Sequence, residues 1–591
     1  MKLSKVEIKN FRRVEHAEIN LSPASFIIGP NNYGKSSILR AIDALLSLKE
    51  DVIKPDDFRL LPDGNRCQTI EICGWFSDID PETANSRGFK GRVINGQFFY
   101  KKTYTLSNTT KPVIETFLYP YQIVEPFDKV KTYTDLLGVG LTEEQIQESL
   151  GVKKVENKKL PNEWEFKIEG AIEWDMEAEP QLFKNPGGAP SNVNSKLPRL
   201  LYIPSYANSD DVGKADSNKT LLGECLGYIF EDILADNQLA KDIQENLNEL
   251  QKQMSPDTDE SLIKVLCSEV NNIIGDVFPN CGIHINPSLQ GLTEILKPKY
   301  SVEMYSNVNT DATRQGTGLI RTAIFSMLKY HAKLKAKKET RTKPLIIAFE
   351  EPEIYLHPSA ANMLRDTIYS LGLSNQIIST THSPWMIDLS KEWQSLTKVY
   401  LNKNGFMSTI NYGVSEALKN LEEDEKQHVK MIKTFDDELS RVFFAEKCLI
   451  VEGDSEQIAI KNTLNLLPED VQKEIKSTFQ ITKARGKAAI ISLVKYLQAL
   501  SINPIVMHDL DSQTEGAAKM NKHIEAAVGD TSRVFPLQDC LEDCLNYKVP
   551  TSDKPYRAFV ETSKWASWDD VPPVWAAIIR SIFEINALEV S

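Results

Sequence analysis

The sequence predicts an α/β protein of more than one domain, and four strand-to-loop junctions carry that expectation. Ser25-Phe-Ile-Ile is a short apolar run that breaks into a glycine-rich loop and then an amphipathic helix. Leu345-Ile-Ile-Ala-Phe349 is an uninterrupted apolar run ending in Glu350-Glu351-Pro352, the pattern of a parallel strand buried on both faces. Cys448-Leu-Ile-Val451 and Pro504-Ile-Val-Met507 are two further short apolar strands, the first followed at once by Glu452 and the second, after His508, by Asp509 and Asp511. At 591 residues the chain exceeds what one hydrophobic core serves, so about two to four domains are expected.

Composition places the chain among soluble globular proteins, with 41% hydrophobic and 25% charged residues and no low-complexity tract. No stretch approaches the ~20 consecutive apolar residues of a membrane helix. The opening MKLSKVEIKN lacks an apolar leader, so a cytoplasmic protein with no membrane partner is expected. The eight cysteines include no CxxC pair, which argues against structural zinc and a disulfide framework, and Cys540 and Cys544 read as buried thiols. A net charge of −14 argues against a uniformly basic nucleic-acid-coating protein. Repulsion between exposed charges is screened beyond ~8 Å at physiological salt, so local nucleic-acid contact is compatible with it.

Residues 3–21 read as a hairpin, Val6 and Ile8 alternating on its first strand and Ala17, Ile19 and Leu21 on its second. The loop GPNNYGKSS fits the phosphate-loop pattern and makes Gly29, Asn32, Gly34, Lys35, Ser36 and Ser37 the candidate nucleotide-binding residues. Ile38, Ile42, Leu45 and Leu46 recur behind it at helical spacing, so a helix N-terminus would face the phosphates. Lys35 would reach the terminal phosphates and Ser36 a magnesium ion, which makes ATP with Mg2+ the expected cofactor. At the end of the 345–349 run, Glu350 suits holding magnesium and Glu351 orienting the attacking water. An acidic pair after a strand is often only a solvated loop; the phosphate loop earlier in the chain gives this pair its meaning.

FEEPEIYLHP resembles the extended Walker B pattern of the ABC ATPase superfamily, in the branch of the SMC and RecF-like proteins, with Glu350 in place of the usual aspartate. RQGTGLIR at 314–321 is similar to a divergent signature motif, and IISTTHSPWMID puts His382 where the switch histidine belongs. The resemblance implies that Gly316, Thr317 and Gly318 close on the nucleotide of a second subunit, hence a homodimer or higher homo-oligomer. Without it, the two glycines would read as a loop before a helix over 319–334, and His382 as a polar residue at a strand end.

Between these motifs, 219–277 is helical in pattern around a polar break at SPDTDES and reads as a dimerisation insert. The basic run HAKLKAKKETRTK at 331–343 reads as a solvated helix end. Residues 403–440 are polar and charge-rich and are expected to separate the last ATPase strand from the next apolar run. The expected division is 1–210 and 286–430 for the two parts of the ATPase domain, 211–285 for the helical insert and 431–591 for a C-terminal domain.

In that last part Glu452 and Gly453 follow one strand, with Glu456 on the first turn of the next helix, and Asp509 and Asp511 follow the other strand. Carboxylates gathered at one sheet edge repel unless a cation compensates, which suits Mg2+ or Mn2+. Two such ions about 4 Å apart serve phosphodiester hydrolysis. VEGDSEQ and DLD resemble the Toprim signature, and FFAEKCLIVEGDSE is similar to the OLD (overcoming lysogenization defect) family, whose members join an ABC ATPase with a helical dimerisation insert to a C-terminal Toprim nuclease. The resemblance covers nearly the whole chain. It implies a DNA endonuclease with a two-metal mechanism, regulated by ATP and serving anti-phage defence. It also brings in Gabija-like and retron-associated relatives, and with them a partner such as a reverse transcriptase with its msDNA, or a helicase. By the same resemblance Glu542 in LEDCL completes the metal site and Lys554 in KPYRA stabilises charge on the phosphate. The expected catalytic residues are then Glu351, Glu452, Asp509, Asp511 and Lys554, and the expected metal ligands Ser36, Glu350, Glu452, Glu456, Asp509, Asp511 and Glu542. Gly486 and Lys487 in ARGKAAI suit either a phosphate at a helix N-terminus or a plain loop junction. The rival reading is a non-nucleolytic SMC- or RecF-like DNA-repair ATPase, against which the intact carboxylate set argues.

Overall fold

A hairpin of β1 (Lys2–Phe11) and β2 (Val14–Asn20) opens the chain, with Val6, Ile8, Ala17 and Ile19 turned into one core. In this computed structural model the described residues are 1–47, 52–86, 88–152, 154–161, 164–184, 191–205, 221–235, 237–253, 264, 266, 268, 302–305, 309–311, 314, 316–337, 344–354, 356, 358–435 and 439–586. They fall into two units, Met1–Ile203 with Lys343–Ser591, and Pro204–Thr342.

In the first unit the buried run Ala24–Ile28 is β3, and α1 (Lys35–Leu46) leaves its loop with Ile38, Ile42, Leu45 and Leu46 buried, as their spacing predicts. Strands β4 (Thr69–Ser77), β5 (Gln97–Thr105), β6 (Asn108–Leu118) and β7 (Gln181–Lys184) extend the sheet antiparallel from β1. On the other side, β8 (Arg199–Ile203), β9 (Leu345–Glu350), β10 (Gln376–Thr381) and β11 (Gln394–Leu401) form with β3 a parallel half. With β12 (Met407–Tyr412) the order is β7-β6-β5-β4-β1-β2-β12-β11-β3-β10-β9-β8; a short strand at Val93–Ile94 pairs with β5 off this path and completes 13 strands among the described residues. Strands β3, β9 and β10 are buried along nearly their whole length, as strands covered on both faces are. Their register aligns Thr381 with Ile28 and Glu350 with Thr380, so their carboxyl ends form one edge, where open α/β sheets bind ligands. Lys102 on β5 is buried and donates to the Ala44 and Ser47 carbonyls at 3.0 and 2.8 Å, closing the C-terminus of α1 with a positive charge.

Strand β12 corrects one expectation. Residues 403–440 do not simply follow the last ATPase strand, because Met407–Tyr412 pairs antiparallel with β11. Its sequence, MSTINY, buries only the two end residues, so no alternating apolar pattern announces it. The helices Val414–Lys419 and Glu423–Phe435 follow.

The unit Pro204–Thr342 holds α2 (Leu221–Ala235), α3 (Gln238–Gln253) and α4 (Thr317–Lys337), with α2 packed on the other two, and a hairpin of Glu303–Tyr305 with Asn309–Asp311. The expected break at SPDTDES and the end of the basic run, 338–343, lie outside the described residues. Among the described residues no helix is long and apolar enough to cross a membrane.

A second sheet is wholly parallel. It joins β13 (Lys447–Val451), β14 (Phe479–Lys483), β15 (Ile505–His508) and β16 (Val534–Pro536) in the order β14-β13-β15-β16. Helices α5 (Asp454–Leu464), α6 (Lys487–Ala499), α7 (Lys554–Thr562) and α8 (Pro573–Phe583) accompany it. Trp575 on α8 is fully buried, and its indole N–H donates to the Thr463 hydroxyl of α5 at 2.8 Å. That contact seats the helix that carries Glu456. Replacing Trp575 by Ala should destabilise the protein by about 3–5 kcal/mol in denaturant unfolding, and Trp575→Phe by far less; a loss under about 1 kcal/mol for the alanine variant would contradict this packing role.

Candidate active site

The phosphate loop is shaped by close approach. Gly29 has φ 143°, and a Cβ there would lie 2.5 Å from the Val399 carbonyl oxygen of β11. Gly34, φ 101°, caps α1, whose first N–H groups have no intrahelical partner and suit an anion. Asn32 also has positive φ, 63°, and its carbonyl accepts from Arg13 at 2.8 Å; Ser37 is buried in the first turn of α1.

Lys35 is buried. Its Nζ donates to the Gly29 and Pro30 carbonyls at 3.0 Å each and lies 3.2 Å from His382 Nδ1 and 3.7 Å from Glu351. Burial pulls its pKa down, against the attraction of Glu351. Glu351 stands at φ 45°, its N–H bonded to the Thr380 carbonyl at 3.0 Å and its carboxylate 3.0 Å from His382 Nε2. A non-glycine residue in that region costs about 1–2 kcal/mol, and such strain gathers at functional sites. Ser36 donates to Glu350 Oε1, and the other Glu350 oxygen accepts from Tyr202 at 2.6 Å. The structure thus brings Gly29, Asn32, Gly34, Lys35, Ser36, Glu350, Glu351 and His382 together. Sequence reading missed Glu353, which accepts from Thr381 while its Oε2 is buried without a hydrogen-bond partner among the described residues. Burial pushes its carboxyl above the ordinary range. Nothing in EEPE separates that glutamate from a solvated loop.

Gly316, Thr317 and Gly318 belong to the unit Pro204–Thr342. They start α4, where the Gly316 carbonyl accepts the Leu319 N–H at 3.0 Å. The Thr317 side chain lies outside the described residues.

In the C-terminal sheet, β13 and β15 are parallel neighbours, pairing Leu449 with Ile505 and Ile450 with Val506. Glu452, Asp509 and Asp511 therefore leave adjacent strands at one edge. Glu456, buried on the first turn of α5, accepts the Gly453 N–H at 3.0 Å. Glu542 is buried and lies 3.6 Å from Lys554 Nζ at the start of α7. Asp511 stands at φ 48° and accepts from the buried Lys487 at 2.8 Å. Every carboxylate expected at this edge is there, with Lys554 beside it. The Lys487 to Asp511 ion pair was not foreseen, although a Gly-Lys pair at a helix start had marked Lys487. Two more groups carried no sequence signal. Asp539 accepts the Ser512 N–H at 2.7 Å with its side chain and the Asp511 N–H at 2.9 Å with its carbonyl, tying the DLDS turn to the end of β16. Tyr547 has a buried hydroxyl without a hydrogen-bond partner among the described residues, close enough to Glu542 for that charge to raise its pKa along with burial.

Electrostatics decide what this edge can hold. Burial, then Glu456, Glu452, Asp511 and Glu542, push the Asp509 carboxyl up to about 8. Burial likewise raises Glu452, with Lys487 opposing and Asp511 adding, and raises Glu456, with Glu452 and Glu542 adding. Oε2 of Glu452 and Oδ1 of Asp509 are buried with no hydrogen-bond partner among the described residues. Buried acceptors left in that way are costly, and a hard divalent cation takes oxygen ligands of this kind. Glu452, Glu456, Asp509, Asp511 and Glu542 therefore fit Mg2+ or Mn2+. A second acidic group, Glu7, His16 and Glu18, has its ligand atoms within 4.8 Å of one another. It lies on the first hairpin, where Lys9 is 2.8 Å from Glu7 and Lys5 2.7 Å from Glu18, so its charge is already balanced. Cys540 and Cys544 take no part: Cys544 is buried, and the Cys540 thiol, raised to about 12 chiefly by burial, sits 3.4 Å from Asp543.

The family described as AAA ATPase domain matches residues 1–387, and the one described as overcoming lysogenization defect protein-like, TOPRIM domain, matches 443–511. The chain is 24% identical to the Old nuclease of Escherichia phage P2 over 86% of this chain and 77% of that one. It is 22% identical to the OLD nuclease of Thermus scotoductus over 99% of each. It is 21% identical to Endonuclease GajA of Bacillus cereus over 88% of this chain and 76% of that one. The phosphate loop and its carboxylates fall inside the first matched span and the edge from Glu452 to Asp511 inside the second. The chain belongs to the OLD family, an AAA-type ATPase domain joined to an OLD-like Toprim domain.

Proposed function

We propose that this chain is a DNA endonuclease that hydrolyses phosphodiester bonds at the Toprim edge, that ATP in the phosphate loop regulates it, and that it serves anti-phage defence. The observation that carries this reading is the pair of buried, unpartnered carboxylate oxygens on Glu452 and Asp509, costly to a fold and useful to a divalent cation. The names of the relatives, Old nuclease, OLD nuclease and Endonuclease GajA, support the reaction class. A purely structural SMC- or RecF-like ATPase would have no use for those oxygens.

Glu452, Glu456, Asp509, Asp511 and Glu542 would hold two Mg2+ or Mn2+ ions, which would supply Lewis acidity for phosphodiester hydrolysis. Lys487 keeps Asp511 in place, and Lys554, half-exposed beside Glu542, offers its charge to the phosphate. In the ATPase domain the α1 N-terminus, Gly29, Asn32, Gly34, Lys35 and Ser37 receive the triphosphate, Ser36 and Glu350 hold its Mg2+, and Glu351, braced by His382, orients water. Gly316, Thr317 and Gly318 close on the nucleotide of a second copy, in a homodimer or higher homo-oligomer. Supporting this, Leu239 and Ile243 stand 68% and 36% exposed four residues apart on α3, an apolar stripe. The ATPase domain then comprises 1–210 and 286–430, the dimerisation insert 211–285 and the nuclease domain 431–591. We place the protein in the cytoplasm, with a retron reverse transcriptase and its msDNA, or a helicase, as partner.

Stability offers a test independent of cleavage. A carboxyl whose folded pKa is raised costs stability once the pH passes its unfolded value of 3.8, and that cost grows until about 8. At about pH 7.5 in chelator, Asp509→Asn should therefore unfold at a temperature ~2 °C or more above wild type, and Mn2+ should stabilise the wild type but not the variant. A variant no more stable than wild type in chelator would remove the electrostatic account. Activity separates the two sites. Asp509→Ala should cut plasmid DNA ~100-fold or more slowly while releasing phosphate from ATP like wild type, and Glu351→Gln should bind ATP without hydrolysing it. Wild-type cleavage by Asp509→Ala would sink the site.

A further inference from the structure

We propose that the solvent face of α7 is a stacking platform for unpaired bases next to the bond that is cut, with Tyr556 and Phe559 as the stacking residues. The inference rests on the nuclease reading and names the form of DNA that the site takes.

Helix α7 is held from one side. Ala558 and Thr562 are buried, and the Thr562 hydroxyl accepts from the Asn462 amide of α5 at 2.7 Å. Its other sides carry aromatic rings and cations in alternation. Tyr556 is 69% and Phe559 50% exposed, and Lys554 and Arg557 have side chains 53% exposed. A single exposed aromatic needs no explanation. Here two stand three residues apart, on one flank of the helix and about 4.5 Å apart along its axis.

Their location gives the pair its meaning. Lys554 opens the same helix 3.6 Å from Glu542, and Tyr556 and Phe559 stand roughly 3 and 7.5 Å further along its axis, on the flank turned from Lys554 toward solvent. The charge is complementary to a nucleic-acid backbone. Within the helix Lys554 and Arg557 stand against Glu561 alone, an excess of one positive charge in a chain whose net charge is −14, with Arg557 2.8 Å from Glu561 and Lys554 3.6 Å from Glu542. At ~13 Å long, the helix is short for a stable protein interface, which buries ~800 Å² on each partner. Two rings are the right measure for one or two bases, and stacking on them is indifferent to sequence because every base offers a π face. Bases inside a duplex stack on one another and present no free face, so these rings act on single strands, forks and frayed ends.

The test uses the full-length protein with Mn2+ on three DNAs of the same sequence: a single strand, a forked duplex and a blunt duplex. For the double variant Tyr556→Ala/Phe559→Ala, KM for the single strand and fork should rise about tenfold or more per ring, with kcat within about twofold and the blunt duplex unchanged. Tyr556→Trp/Phe559→Tyr should keep the wild-type KM. A 2-aminopurine placed beside the cut bond should be quenched by wild type and not by the double alanine variant, a binding readout that needs no cleavage. Unchanged KM and unchanged quenching in the double alanine variant overturn the inference, and so does an equal loss on all three DNAs. A change of mass in light scattering with DNA binding intact assigns the rings to self-association and overturns it as well. If wild type cuts none of the DNAs, the nuclease reading fails, and the quenching comparison alone then decides whether the platform stands.

Discussion

Like charges buried side by side at the end of a parallel sheet are the constraint on which the C-terminal domain turns. Because β13 and β15 are neighbours running the same way, Glu452, Asp509 and Asp511 cannot avoid one another, and α5 adds Glu456. The protein compensates only part of this charge internally: Lys487 pairs with Asp511, and Lys554 lies near Glu542. Asp509, raised to about 8, carries the remainder. Trp575 packing beneath α5, and Asp539 fixing the DLDS turn, hold the arrangement against its own repulsion. A divalent cation turns the same arrangement from a cost into a binding site.

The ATPase site uses a related device with a different balance. There Glu350 has partners in Ser36 and Tyr202 and Glu351 in His382 and Lys35, while only Glu353 keeps a buried oxygen without a partner among the described residues. Glu351 and Asp511 share one unusual feature: each is a candidate catalytic carboxylate at positive φ just past a parallel strand. Contacts near His382 also reach toward the second sheet. The Pro384 carbonyl, two residues after His382, accepts from the Ser440 hydroxyl at 3.0 Å, and Lys398 of β11 donates to the Ala445 carbonyl at 2.6 Å. Ser440 and Ala445 both lie just ahead of β13, the strand that leads into Glu452.

Much of the architecture was legible because it is written locally. A strand, glycines and an amphipathic helix in sequence define the phosphate loop, and an apolar run ending in carboxylates marks each functional strand end. The helix expected at 319–334 spans Thr317–Lys337, a difference of little consequence. What sequence could not supply are pairings made by tertiary approach. Lys487 meets Asp511 across 24 residues, Ser512 meets Asp539 across 27, and Tyr202 meets Glu350 across 148. Strand β12 escaped because hydrogen bonding to β11, and not an apolar face, makes it a strand. Tyr556 and Phe559 carried no pattern at all; only their exposure beside the carboxylate edge distinguishes them.

Burial, and then the neighbouring carboxylates, push the Asp509 carboxyl up to about 8, so a divalent cation bound there would take the place of its proton. Calorimetric titration of Mn2+ into the nucleotide-free protein at about pH 7, in two buffers of different ionisation enthalpy, measures this directly. The account requires release of close to one proton on binding, and its disappearance in Asp509→Asn. Binding without proton release, or the same release from the variant, would contradict it.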